Sequence, residues 1–374
     1  MKIYTITCHD VYNAGASLQA YALEKYLSGC RDGNEVEIID YKPPYLSNHY
    51  KLNTVGNEKY SGFLIKQAYL AAKLPGRLLS LVRKKRFDDF SKKYLVLTKE
   101  KYTSNEELKE RLPEGDVYFA GSDQIWNTQF PNGRDKAFYL DFAPDKSVKA
   151  SYAASFATKT VADEYTAFVA QMLSGLDFVS TREQSGVEIA SRLGRPDTVH
   201  VLDPVFLLEK EEWYSLIPEK TEKAFQKPYI FAYDFDKNDR LLEFAYESAK
   251  KHGCELYVIS SAKRVKHGKR ITNPGPLEFL TLVKNAQTVV SNSFHATAFA
   301  LIFNRDMYTF GRTEKINTRM SDLLCAFGLD DRMIDDNNAF EKKAADFSFV
   351  NEKLREQAAF SKGFIDTVLN KGIK

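Results

Sequence analysis

The strongest constraint on this chain is a repeated local grammar: a short apolar run rich in β-branched and aromatic residues, a polar turn, then a stretch with helical spacing. The clearest copy is VVSNSFHATAFALIF at residues 289–303, a buried-looking strand leading through Ser291, Asn292, Ser293 and His295 into an apolar helix. Strand and helix alternating in this way predict parallel sheets made of β-α-β units. The strand-to-helix turns of such sheets hold ligands, because the first amides of a helix lack partners and its dipole is positive there. One of only 6 histidines placed in such a turn points toward an anion.

The same grammar opens the chain, with a strand at residues 2–7, a loop at 8–16, a helix at 17–27 and a strand at 35–40. Residues 43–97 interrupt it, and helical spacing in FLIKQAYLAAKL and RLLSLVRKKRFDDFSKKYL predicts a helical hairpin laid over the first domain. Sheet signals return in DVYFAG, KASYAAS, DFVSTR and TVHVLDPVF. A second series runs from KPYIFAYDF through CELYVIS and TVVSNS to DMYTF, closed by a helix after residue 349. A length of 374 residues exceeds one ordinary core, so we expect two domains. They divide as 1–210, carrying the basic helical insertion around 43–97, and 211–374, ending in the closing helix. The fold class expected is α/β, with two Rossmann-like doubly wound domains facing a cleft and the anion site in the second.

Charge and composition narrow the function. A balance of 53 Lys and Arg against 50 Asp and Glu leaves +3, which disfavours a nucleic-acid surface. The excess is local: residues 73–101 hold ten basic and three acidic side chains, a net +7 centred on RKKR at 83–86. Such a run is either a solvated helix face or a peripheral contact with an anionic membrane. No stretch is apolar for long enough to span a bilayer and no secretory leader is evident. The 4 cysteines lack C-x-x-C spacing, so they fit neither zinc nor a disulfide framework. The expectation is a cytoplasmic protein with reduced thiols, at most peripheral at the inner membrane face, with no metal.

Four stretches carry candidate chemistry. In DVYNAGASLQAYAL, Asn13 and Gly15 sit in a strand-to-helix turn where glycine lets a ligand approach the backbone, or simply makes the turn. FAGSDQIWN delivers Ser122, Asp123, Gln124 and Trp126 to a sheet edge. There Asp and Gln could hold sugar hydroxyls, Asp123 could act as a base and Trp126 could stack on a sugar. A helix cap and a core tryptophan are the plainer readings. Arg182 in STREQSG suits a carboxylate or phosphate, or a salt bridge between domains. GRTEKINTRMSDLL adds Arg312, Lys315, Asn317 and Arg319, basic groups converging on the mouth that holds His295.

Taken in order, NAGASLQAYAL, AGSDQIWN, STREQSG, VLDPVFLL, VVSNSFHATAFALIF and NTRMSDLL resemble the polysaccharide pyruvyl transferase family, over about residues 5 to 335. The resemblance implies two Rossmann-like domains arranged as in GT-B glycosyltransferases. It also implies transfer of pyruvate from phosphoenolpyruvate to sugar hydroxyls of a cell-surface glycan or its lipid-linked precursor, with no further cofactor. The family's Arg-x-His motif finds its histidine at His295, while Ser293 stands in the arginine position. Arg182 matches the family's interface arginine, and Arg312 and Arg319 are candidates to replace the missing one. On this reading Ser291, Asn292, Ser293, Arg182, Arg312 and Arg319 bind the donor and His295 and Asp123 exchange protons. Asn13, Gly15, Ser122, Gln124 and Trp126 line the acceptor side. Two rivals stay open: a GT-B-like glycosyltransferase using a nucleotide sugar, and a noncatalytic glycan-binding protein.

Overall fold

The computed structural model describes residues 1–47, 63–225, 227–262, 264–312, 318–334 and 345–373. The first half runs β1 (Lys2–Ile6), α1 (Ala14–Gly29), β2 (Glu35–Tyr41), the short α2 (Pro44–Ser47), α3 (Phe63–Tyr94), β3 (Leu97–Tyr102) and α4 (Asn105–Arg111). It continues through β4 (Val117–Ala120), β5 (Val148–Ser151), α5 (Asp163–Ser174), β6 (Ser180–Thr181), α6 (Gln184–Arg192) and β7 (Val199–His200). Short helices α7 (Lys210–Ser215) and α8 (Glu219–Glu222) lead into the second half. That half comprises β8 (Tyr229–Asp234), α9 (Asp239–Lys251), β9 (Glu255–Ser260), β10 (Lys269–Arg270), α10 (Pro276–Asn285), β11 (Thr288–Ser291), α11 (Phe294–Ile302), β12 (Asp306–Phe310), α12 (Thr318–Ala326), β13 (Met333–Ile334) and α13 (Phe347–Lys371).

Both large sheets are parallel, in the orders β3-β2-β1-β4-β5 and β10-β9-β8-β11-β12-β13, while β6 and β7 pair beside β5. Every residue of β4 and β8 is buried, as expected of strands covered by helices on both faces. Strand order reverses between β1 and β4 and again between β8 and β11. The turns after these four strands therefore open onto the crevices where such sheets take ligands.

The halves share one apolar core. Leu18 and Tyr21 of α1, Phe87 and Phe90 of α3, Trp213, and Leu280 and Phe299 from α10 and α11 belong to a single buried cluster. Each such side chain contributes about 1.5–3 kcal/mol when taken out of water.

The insertion departs from expectation. Its described part is one 32-residue helix, α3, rather than a hairpin, and Arg86 of its basic run ties it to the second half. Arg83 donates to Tyr12 O at 2.8 Å, and Arg86 crosses to Asn273 O at 2.9 Å and Glu278 at 3.3 Å. The spacing showed an amphipathic face, but not that its two arginines at 83 and 86 bond backbone carbonyls outside the helix. The rest of the insertion, residues 48–62, lies outside the described residues.

The closing helix also goes elsewhere than expected. Ile365, Val368 and Leu369 of α13 bury themselves among Ile3, Leu23, Val36 and Val117 of the first half. Ser361 Oγ accepts from Leu202 N at 2.9 Å, and Arg31 donates to Asn370 Oδ1 at 2.9 Å. A helical apolar stripe specifies that a face is buried, not which sheet buries it.

Candidate functional site

Two helix N-termini meet at the cleft. Asn13 caps α1, its Oδ1 accepting from Gly15 N at 2.9 Å and Ala16 N at 3.4 Å. Ser293 caps α11 through a long contact from Ala296 N, 3.5 Å. Both residues line one small cleft with Asp123, Gln124, His295, Arg312 and Arg319. Two positive helix ends and these cations make the cleft a place for negative charge.

His295 reaches across from the second half and lies against the start of α1. A Cβ on Gly15 would stand 2.0 Å from its Nδ1, so only glycine admits the ring there. The close approach expected for a ligand at Gly15 is made instead by the histidine ring, which corrects Gly15 as a direct contact. On the other side, His295 Nε2 is 3.6 Å from Asp203 Oδ2, ion-pair range but too long for a hydrogen bond.

Asp203 is the residue the sequence reading passed over. It is fully buried and accepts from Arg182 Nη1 at 2.5 Å, Ser122 Oγ at 3.3 Å and Val205 N at 3.1 Å. Burial alone would raise its carboxyl, but the His295 ring and the Arg182 guanidinium hold it well below the usual carboxylate range. The available signal was VLDPVFLL, which ends a strand with a carboxylate immediately before proline.

Arg182 is spent on this arrangement. It holds Asp203, donates from Nη2 to Asp123 Oδ1 at 3.3 Å, and lies over the Phe294 ring at 4.4 Å. Its carboxylates belong to its own half, so it positions Asp123 rather than clamping a donor. Ser122 is buried beneath the cleft, its Oγ on Ala153 O at 2.6 Å and its N on Gln19 Oε1 at 3.0 Å, and it offers nothing to an acceptor.

Trp126 is likewise corrected. It is 0% exposed, stacks on Tyr139 at 5.5 Å and donates to Phe138 O at 3.0 Å. Gly121 explains the misreading. Its φ of +133° and a Cβ position 2.1 Å from Tyr152 O admit only glycine, and the turn it makes sends Trp126 inward while Asp123 stays in the cleft.

Ser291 and Asn292 are also engaged within the protein. Ser291 Oγ donates to Tyr233 O at 2.8 Å, and Asn292 Oδ1 accepts from Phe235 N at 2.9 Å, tying β11 to the end of β8. Ser291 lies behind the cleft lining, whereas Asn292 borders it.

The remaining cations, Arg312 and Arg319, border the cleft from the second half. Arg319 comes from α12 and approaches Asp123 Oδ1 at 4.0 Å. With the Gln124 amide oxygen turned toward it, that oxygen accepts from Arg319 at 2.8 and 3.2 Å. Burial, then the charges of Arg182 and Arg312, pull the Arg319 guanidinium down to about 10. Arg182 and Arg312 thus crowd Arg319, and an incoming anion would ease that repulsion. Lys315 and Asn317 lie outside the described residues. Among the described residues no cluster of His, Cys, Asp and Glu is arranged to hold a metal ion.

The sequence signature described as polysaccharide pyruvyl transferase matches residues 13–312. The chain belongs to that family. Membership makes it one of a family of transferases. No curated protein matches the sequence. Among solved structures, the S. aureus MnaA–UDP co-structure is 10% identical with a TM-score of 0.50, covering 95% of this chain and 87% of that one. The UDP-GlcNAc 2-epimerase from Methanocaldococcus jannaschii is 14% identical at a TM-score of 0.47, covering 96% and 93%. E. coli heptosyltransferase WaaC with ADP-2-deoxy-2-fluoro heptose is 11% identical at 0.37, covering 83% and 88%. At such identities the likeness concerns the fold, which is GT-B-like: two doubly wound halves facing a cleft. No helix among the described residues is long and apolar enough to cross a membrane.

Proposed function

We propose that this pyruvyl transferase family member moves the pyruvyl group of phosphoenolpyruvate onto hydroxyls of a cell-surface glycan or its lipid-linked precursor, forming a pyruvate ketal. The observation that carries the reading is the cationic cleft in which His295, Arg312 and Arg319 meet the N-termini of α1 and α11. Arg312, Arg319 and the helix amides receive the phosphate and carboxylate of the donor. His295 protonates the methylene carbon, which leaves carbon 2 electrophilic. A sugar hydroxyl adds to carbon 2 and gives its proton to Asp123. Both recorded contacts of that carboxylate use Oδ1, leaving Oδ2 for the hydroxyl. Phosphate then departs with the electrons of its bond to carbon 2, and a second hydroxyl adds to carbon 2 and closes the ketal, its proton returning to His295.

Thermal denaturation with phosphoenolpyruvate, phosphate and nucleotide sugars at matched ionic strength tests the donor. A ligand that binds only the native state stabilises it by RT ln(1 + [L]/Kd). The expected result is a larger rise in Tm with phosphoenolpyruvate than with phosphate. Ser293 in the family's arginine position favours one rival, a nucleotide-sugar glycosyltransferase, and a rise confined to nucleotide sugars would put that reading in place of ours. His295→Ala is expected to keep the fold and abolish turnover; near-normal turnover would remove His295 from the acid's role.

A further inference from the structure

With Trp126 in the core and Ser122 beneath the floor, neither can seat an acceptor. A second cavity, about 130 Å³, opens at the ends of β8 and β9 under α3. It shares Phe235 with the cationic cleft, and the two are bordered by the adjacent residues Ala14 and Asn13. A group in one lies a single ring from a group in the other.

The lining of this cavity is aromatic and carries spare polar groups. Tyr233 packs on Phe235 at 4.9 Å and on Phe279 at 5.3 Å, a continuous wall of rings. Tyr233 is 8% exposed, and its hydroxyl, at the cavity surface and not sealed in the core, has no hydrogen-bond partner among the described residues. Burial pushes that hydroxyl up to about 12, so it remains a donor at neutral pH. Arg83 reaches the cavity with one nitrogen bonded to Tyr12 O, while its buried Nε has no partner. Ser261 stands at the exposed rim. Apolar ring faces beside unpaired hydroxyl and N–H groups suit a pyranose, whose C–H face packs on aromatics while its hydroxyls need partners.

We propose that the cavity between α3 and the ends of β8 and β9 is the subsite for the acceptor sugar ring, with Phe235 and Phe279 as its walls and Tyr233, Arg83 and Ser261 as its hydroxyl partners. The assignment rests on the transferase reading above, in that the neighbouring cleft holds the donor. It places the attacking hydroxyl past Phe235, beside Asp123 and His295.

The test is saturation-transfer NMR on the full chain. The probes are methyl glycosides of galactose, glucose and N-acetylmannosamine at about millimolar concentration, plus UDP, each with and without saturating phosphoenolpyruvate. Ser261→Tyr, at the rim, should block the cavity, and Tyr233→Phe should remove one hydroxyl. At least one glycoside is expected to bind wild type, to weaken more than tenfold in Ser261→Tyr and to weaken about fivefold in Tyr233→Phe, the scale of one hydrogen bond. The Tm shift with phosphoenolpyruvate should be retained by both variants.

Three results would overturn the subsite: no glycoside binding while phosphoenolpyruvate still raises Tm, glycoside binding indifferent to both substitutions, or UDP as the only probe displaced by them. Should phosphoenolpyruvate fail to raise Tm while glycoside binding still follows the two substitutions, the donor reading falls and the sugar subsite stands. If Ser261→Tyr fails to fold, Tyr233→Phe decides alone.

Discussion

On the first-sheet side of the cleft, charge is settled locally. Arg182 finds Asp203 and Asp123 within its own half, and Glu183 Oε1 accepts from Ser155 Oγ and the amides of Phe156 and Ala157 at 2.9–3.1 Å. On the second-sheet side, Arg319 takes its carboxylate and its amide oxygen from across the cleft, from Asp123 and Gln124. The first lip is a floor built before anything binds. The second takes its counter-charge from the opposite lip, so its cations are the ones left for an arriving anion.

The comparison breaks most sharply at Asp203. Replacing it by Asn should cost about 3–5 kcal/mol in chemical denaturation, because a buried guanidinium loses its main counter-charge. Acid should do the same to wild type. The folded carboxyl is held below its unfolded value of about 3.9, so its contribution is full above pH ~4 and is lost as pH falls from there toward the folded value. Melts carried from pH 6 down to 2 should show that loss setting in only below about pH 4, with a shallower acid dependence in Asp203→Asn.

Next in size, Gly15→Ala forces His295 off α1 and should cost about 1–3 kcal/mol with turnover reduced more than tenfold, since the new methyl cannot share the ring's space. Arg319→Gln sharpens the contrast. It should leave unliganded stability within about 1 kcal/mol, because the lost guanidinium was repelled by Arg182 and Arg312, yet shrink the Tm rise with phosphoenolpyruvate. A large loss of unliganded stability would make the second lip as structural as the first. The smallest effect is expected from Ser293→Arg. It gives up a weak cap worth about 0.5–1 kcal/mol and restores the family's cation, so donor binding should tighten while stability slips slightly.

Much of this was legible in the residues. The strand-turn-helix grammar led to two doubly wound halves, and the basic loop placed Arg312 and Arg319 at the mouth beside His295. What escaped has physical reasons. Asp203 and Arg182 are 21 residues apart and act as a pair only once β7 has folded beside β6. Trp126 follows a positive-φ glycine, and after such a turn alternation no longer tells inside from outside. The burial of α13 on the first sheet, like the bonds of Arg83 and Arg86 to carbonyls of other elements, depends on tertiary address, which periodicity does not encode.

That return of α13 has a mechanical consequence. The last helix of the chain docks on the first sheet, while α1 and α3 share buried side chains with α10 and α11, so neither half can be cut away without stripping an apolar face from the other. The two halves are expected to melt together in a single transition, not one after the other.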